Sequence, residues 1–89
     1  MSESLLQVVN PLGLHARPAA KVVECASRFS SDITLCFKDR EIDAKSIMSV
    51  LMLAAGQGSE IVLRISGEDQ AAAREAMENL FASGFGELE

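Results

Sequence analysis

The stretch EIVLRISGEDQAAAREAMENLFA, residues 60–82, changes its hydrophobic period halfway along. In its first seven residues Ile61, Leu63 and Ile65 alternate with Val62, Arg64 and Ser66. That two-residue period predicts a strand covered on one face only. Gly67 ends the strand, and Asp69 is a candidate helix cap. Beyond it Ala73, Ala76, Met77, Leu80 and Phe81 return at steps of three and four, which predicts an amphipathic helix ending near Gly84. A strand with one dry face and a helix with one apolar stripe each need cover, and layering helices on a sheet supplies it to both.

The two periods recur upstream. Residues 5–9 read as a strand that stops at the turn pair Asn10-Pro11. Over residues 18–29, Ala19, Val22, Val23, Ala26 and Phe29 form an apolar stripe, with Lys21, Glu24 and Arg28 on the other face. Glu24 and Arg28 are placed for a helical ion pair worth about 0.2–0.5 kcal/mol. Residues 33–37 alternate again, Lys38-Asp39-Arg40 turns the chain, and residues 41–44 return as a short strand. Ser46 then caps a short helix that stops at Gly56-Gln57-Gly58, with Ile47, Val50, Leu51 and Ala54 expected toward the core and Met48 and Met52 on a neighbouring face. The element order β-α-β-β-α-β-α predicts an α/β open-faced sandwich: a four-stranded antiparallel sheet with three helices packed on one face and water on the other. With no repeat, linker or low-complexity segment in its 89 residues, the chain reads as one domain, 1–89.

Composition narrows the function. Thirteen acidic against eight basic residues leave a net charge of −5, which argues against nucleic acid, since affinity for phosphate backbones comes from Lys and Arg. No polybasic cluster or long apolar span points to a membrane, and the acidic start Met1-Ser2-Glu3-Ser4 lacks the basic region of a signal peptide, so a cytoplasmic protein is expected. Cys25 and Cys36, with a single histidine, cannot supply a four-ligand zinc site, and no metal or other cofactor is expected. Both thiols are expected reduced, as small hydrophobes on a helix and a strand. The glycines at 56 and 58 lack the following helix of a phosphate loop and read as a tight turn.

The one histidine lies in NPLGLHARPAAKVV, residues 10–23. Proline is tolerated in the first turn of a helix and disfavours the helical conformation for the residue before it, here Arg17, so the helix starts close to residues 16–18. His15 therefore falls at the helix N-terminus, where unpaired amides and the positive dipole end favour an anion. Arg17 adds a forked donor for phosphate oxygens. Imidazole offers a ring lone pair at neutral pH, which makes His15 a candidate nucleophile toward phosphorus. Against this stands a histidine that merely caps the helix, although caps prefer Ser, Thr, Asp or Asn. The residues alone leave both readings open.

Two motifs add a resemblance. Gly13-Leu14-His15-Ala16-Arg17-Pro18-Ala19 resembles the active-site signature of the histidine-containing phosphocarrier (HPr) family, and Ala44-Lys45-Ser46-Ile47-Met48-Ser49-Val50 resembles that family's second signature, in register over essentially the whole chain. The resemblance implies a carrier of the bacterial phosphotransferase system, not a turnover enzyme. His15 would take a phosphoryl group on Nδ1 from enzyme I and pass it to an enzyme IIA. Arg17 would assist both transfers, and the amides of Ala16 and Arg17 at the helix start would hold the phosphate. Ser46 matches the serine that a dedicated kinase modifies in some members. Leu14, Ile47, Met48 and Met52 would belong to the partner surface, and a monomer is expected. Ala16, where sugar-branch carriers often have threonine, Ser49, and the runs Leu51-Met52-Leu53 and Leu80-Phe81-Ala82-Ser83-Gly84-Phe85 are more similar to the nitrogen-related carriers, with the sugar branch as alternative. A small-molecule-binding regulatory domain on a related sandwich is the competitor from another class, and it would not need His15. A relative acting by docking alone would usually lack the histidine.

Overall fold

Alternation sets the sheet. The computed structural model describes residues 1–87, so the last two residues of the expected 1–89 domain lie outside the described residues. Strands β1 (Ser2–Gln7), β2 (Asp32–Phe37), β3 (Arg40–Asp43) and β4 (Glu60–Ser66) form one sheet in the order β1-β4-β2-β3, every neighbouring pair antiparallel. Ile61, Leu63 and Ile65 of β4 point into the core, and Ile33 and Leu35 of β2 join them through the pairs Ile33–Ile65 and Leu35–Leu63. The opposite face carries Glu3, Arg64 and Glu41, with the Arg64 guanidinium bonded to both carboxylates at 2.8 and 3.0 Å.

Helices α1 (Ala16–Ser27), α2 (Ile47–Leu53) and α3 (Gln70–Ala82) lie over the sheet's dry face, and a short 3-10 turn, Gly84–Gly86, follows α3. Ala19, Val22, Cys25 and Ala26 from α1, Val50 and Leu53 from α2, and Ala73, Met77 and Phe81 from α3 close one buried cluster with the strands. The open-faced sandwich is the observed architecture. Cys25 is buried and Cys36 half-buried, both as free thiols.

Local expectations shift in instructive ways. β1 occupies residues 2–7, not 5–9, because its ladder partner runs antiparallel from Gln7–Glu60 to Ser2–Ile65. The hairpin turns on Lys38 and Asp39 alone, both with positive φ (48° and 65°), so Arg40 already pairs with Phe37 as strand. Arg17 is helical despite the proline after it, since α1 begins at Ala16. The predicted stripe of α2 is corrected: Val50 and Leu53 are its buried residues, Leu51 is half-buried, and Ile47 and Ala54 are exposed. Ala54 itself ends the helix in the left-handed conformation (φ 52°), two residues before Gly56. Glu24 and Arg28 form no ion pair; the pair at that spacing is Arg74–Glu78, at 3.1 Å. Asp69 stands at the N-cap of α3 without bonding that helix's amides. Its carboxylate instead accepts from the Ser30 and Ser31 amides at 2.9 and 3.0 Å and from the Ser31 hydroxyl, tying α3 to the loop before β2.

Candidate functional site

The loop from β1 to α1 is shaped before it reaches His15. The amide of Gly13 donates to the Asn10 carbonyl (3.1 Å), and the Gly13 carbonyl accepts from both the Asn10 side-chain amide (2.8 Å) and the His15 amide (2.9 Å). Gly13 has φ +67°, and a Cβ there would lie 2.5 Å from the Ala55 carbonyl oxygen and 2.8 Å from the Gly56 Cα, so only glycine fits. Next to it the Leu14 amide donates to the same Ala55 carbonyl at 2.9 Å. The loop is thereby moored to the segment that follows α2.

Leu14 is only 4% exposed and belongs to the core. Its place on a partner surface is withdrawn: between a strand and a helix start, the leucine is the apolar plug that anchors the loop, and its neighbour His15 faces outward. His15 is the N-cap of α1, extended at φ −77° and ψ −170°, with no side-chain cap bond. Its carbonyl accepts from the Ala19 amide at 3.0 Å. Pro18 has no N–H to offer, so the first-turn amides left without helical partners are those of Ala16 and Arg17. Both residues are exposed, and the structure brings these two donors and the Arg17 side chain to the helix end where His15 stands.

Sequence reasoning missed Glu87. Its carboxylate lies 2.9 and 3.2 Å from His15 Nε2 and accepts from the Asn10 side-chain amide at 2.8 Å. The Asn10 amide foremost, then the His15 bond and the charges of His15 and Arg17, hold the Glu87 carboxyl below the usual carboxylate range, with burial opposing. A carboxylate has no hydrogen to donate, so Nε2 is the donor of this bond. Nδ1 makes no hydrogen bond among the described residues. What delivers Glu87 is the turn after α3: Gly84, Phe85 and Gly86 all have positive φ, and Phe85 is buried with its ring edge-on to Phe81 at 4.9 Å. Lys21 of α1 donates to the Phe85 carbonyl at 2.6 Å. The only sequence signal was the Gly-Phe-Gly run itself, and it does not say where the chain goes next.

The remaining predicted residues sit on or around α2. Ser46 is its N-cap, half-buried, its hydroxyl accepting from the Ser49 amide at 3.4 Å. Ile47, Met48 and Met52 are 39%, 63% and 62% exposed, and Leu12, in the loop moored to Ala55, is exposed as well. Arg40 donates to the Met52 carbonyl at 2.6 Å, covering the end of the helix. Among the described residues no cluster of three or more His, Cys, Asp or Glu side chains is arranged to hold a metal ion. No helix among them is long and apolar enough to cross a membrane.

Comparisons with known proteins agree on one family. Residues 3–83 match the family model described as the PTS HPr component phosphorylation site. The phosphocarrier protein HPr of Xylella fastidiosa is 52% identical over 87 residues, 98% of each chain, and that of Treponema pallidum is 49% identical over 82 residues, covering 92% of this chain and 93% of its own. Among solved structures, the crystal structure of HPr from Thermoanaerobacter tengcongensis superposes with a TM-score of 0.95 at 40% identity, covering all of both chains.

Proposed function

The chain belongs to the HPr family of phosphotransferase-system carriers, and from that premise we propose that His15 is its phosphoryl acceptor and donor, serving the regulatory, nitrogen-related relay. Members of this family are phosphocarriers between enzyme I and enzyme IIA, not independent enzymes. The observation that carries the assignment of His15 is its position at the N-cap of α1 with Nδ1 unengaged among the described residues.

The chemistry is one displacement run in two directions. The Nδ1 lone pair forms a bond to phosphorus as the P–N bond of the donor phosphohistidine breaks, and that electron pair returns to the donor ring. The amides of Ala16 and Arg17 and the Arg17 guanidinium receive the phosphoryl oxygens, so catalysis is positioning and charge neutralisation. Ile47, Met48 and Met52, joined by Leu12, form the apolar surface on which donor and acceptor dock in turn; flexible methionine suits more than one partner. Ser46 is a candidate regulatory site: phosphorylation by a serine kinase would add a charge of about −1.5 to −2 at the start of α2, beside that surface. The protein works in the cytoplasm, where both partners meet it.

The branch rests on Ala16, Ser49 and the leucine- and phenylalanine-rich runs of α2 and α3. Incubation with enzyme I and labelled phosphoenolpyruvate is expected to give an acid-labile, base-stable phosphoprotein that His15→Ala abolishes; label surviving in that variant overturns the assignment. Faster transfer from a nitrogen-type than from a sugar-type enzyme I is expected, and the reverse order assigns the chain to sugar uptake.

A further inference from the structure

We propose that Glu87 is a positioning residue that selects which nitrogen of His15 reacts, by keeping the ring hydrogen on Nε2 and balancing the positive charge the ring gains on phosphorylation. The proposal rests on the reading of His15 as the phosphoryl carrier and adds to it the group that sets its tautomer. Both oxygens of the carboxylate lie within 3.2 Å of Nε2, and one of them also holds the Asn10 amide. Asn10 is fully buried and bonded to the Gly13 carbonyl, and the Glu87 side chain is 18% exposed, so the carboxylate is fixed from behind and shielded from most of the solvent. Such a group accepts hydrogen bonds and offers none, and that decides the protonation of the nitrogen facing it.

The electron count shows what the contact does. In the resting ring the hydrogen sits on Nε2 and the lone pair on Nδ1. When that pair bonds to phosphorus and the donor's P–N bond breaks, the His15 ring becomes cationic with its hydrogen still on Nε2, against the carboxylate. When the phosphoryl group moves on, the P–N bond at Nδ1 breaks and its electron pair returns to Nδ1. Because Nε2 has kept its hydrogen, the ring leaves as neutral imidazole and not as the far more basic imidazolate. No proton need enter or leave the site in either direction. Charge-assisted bonds of this kind are stronger than neutral ones, and here the added strength appears as the ring turns cationic.

Ring nitrogen NMR on the full, nitrogen-15-labelled chain tests this. The folded wild-type protein is expected to show the Nε2–H tautomer; an Nδ1–H tautomer there overturns the proposal without any variant. In Glu87→Gln the carboxamide oxygen stays with Asn10 and its NH2 group faces Nε2, which drives the hydrogen to Nδ1 and removes the reactive lone pair. Phosphorylation by enzyme I is expected to slow about tenfold, the effect of one charge-assisted bond made in full only near the transition state. Glu87→Ala imposes no tautomer and is expected to slow transfer less than Glu87→Gln. Thermal unfolding checks that both variants remain folded. An unchanged tautomer or an unchanged rate in folded Glu87→Gln overturns the role of Glu87, whereas label persisting in His15→Ala overturns the carrier reading on which it stands.

Discussion

Asp69 shows how one carboxylate can serve tertiary structure in place of its own helix. The Ser31 hydroxyl, then the Ser30 amide and the weaker bonds of the same two serines, pull its pKa from 3.8 to about 2, against the effect of burial. A group whose folded pKa lies below its unfolded value stabilises the fold in full above the unfolded value and loses that contribution as pH falls through the folded one. The latch therefore acts above about pH 4 and fails between about pH 4 and pH 2. Urea unfolding at pH 5 and at pH 2.5 is expected to show a drop in midpoint for the wild type and a smaller drop for Asp69→Asn, which starts lower at pH 5. Equal drops in both chains contradict the latch. Gly67, with φ +153°, sits against the Ser31 side chain and backbone, so the same corner also requires a residue without a Cβ.

At the scale of elements, the segment between β1 and α1 is held by the chain that follows α2, and Gly13 is where they touch. Replacing it with alanine meets two obstacles together, a positive φ and a backbone oxygen 2.5 Å from the new carbon that cannot rotate away. Gly13→Ala is expected to destabilise the fold by about 2 kcal/mol in chemical denaturation and to slow phosphorylation as the loop carrying His15 is displaced. A loss under half that size shows that the Ala55 segment can yield. The elements themselves were legible because their signals are local: the alternation of residues 60–66, the stripe of α1, and Ser46 three residues before the amide it caps. The His15 end of the site was legible for the same reason, with imidazole, guanidinium and proline within four residues. Two placements differ from expectation for separate reasons. The stripe of α2 puts Ile47 inward, but a helix of two turns is too short for periodicity to fix its buried side, and Ile47 is exposed as the resemblance implies. The resemblance puts Leu14 on the partner surface, but the Ala55 segment that holds its amide leaves its side chain in the core. Glu87 was out of reach altogether, since it joins His15 across 72 residues through a turn whose three positive φ values no local pattern encodes.

The whole molecule divides its surface between two kinds of chemistry. The open sheet face carries the paired charges Glu3–Arg64–Glu41, with Leu5 of β1 as its one exposed large apolar side chain among the described strand residues. Across the molecule, α2, which packs against α1, exposes Ile47, Met48 and Met52, and the loop between β1 and α1 exposes Leu12. A carrier that must release each partner within a turnover needs a docking surface that is apolar enough to bind and small enough to let go. Met48, 63% exposed, adds little to the fold, so Met48→Asp is expected to leave unfolding free energy within about 0.5 kcal/mol of the wild type. On the proposed docking surface the same change puts a charge where a partner would lose water, and it adds to an overall charge of −5. Steady-state transfer from enzyme I is accordingly expected to show a KM raised about tenfold with kcat little changed, the pattern of lost uniform binding. Arg64→Ala, on the opposite face, is expected to change neither constant. If Met48→Asp lowers kcat with KM unchanged, α2 acts on the reacting geometry of His15 and not on docking; if Arg64→Ala raises KM, the partner surface extends to the sheet.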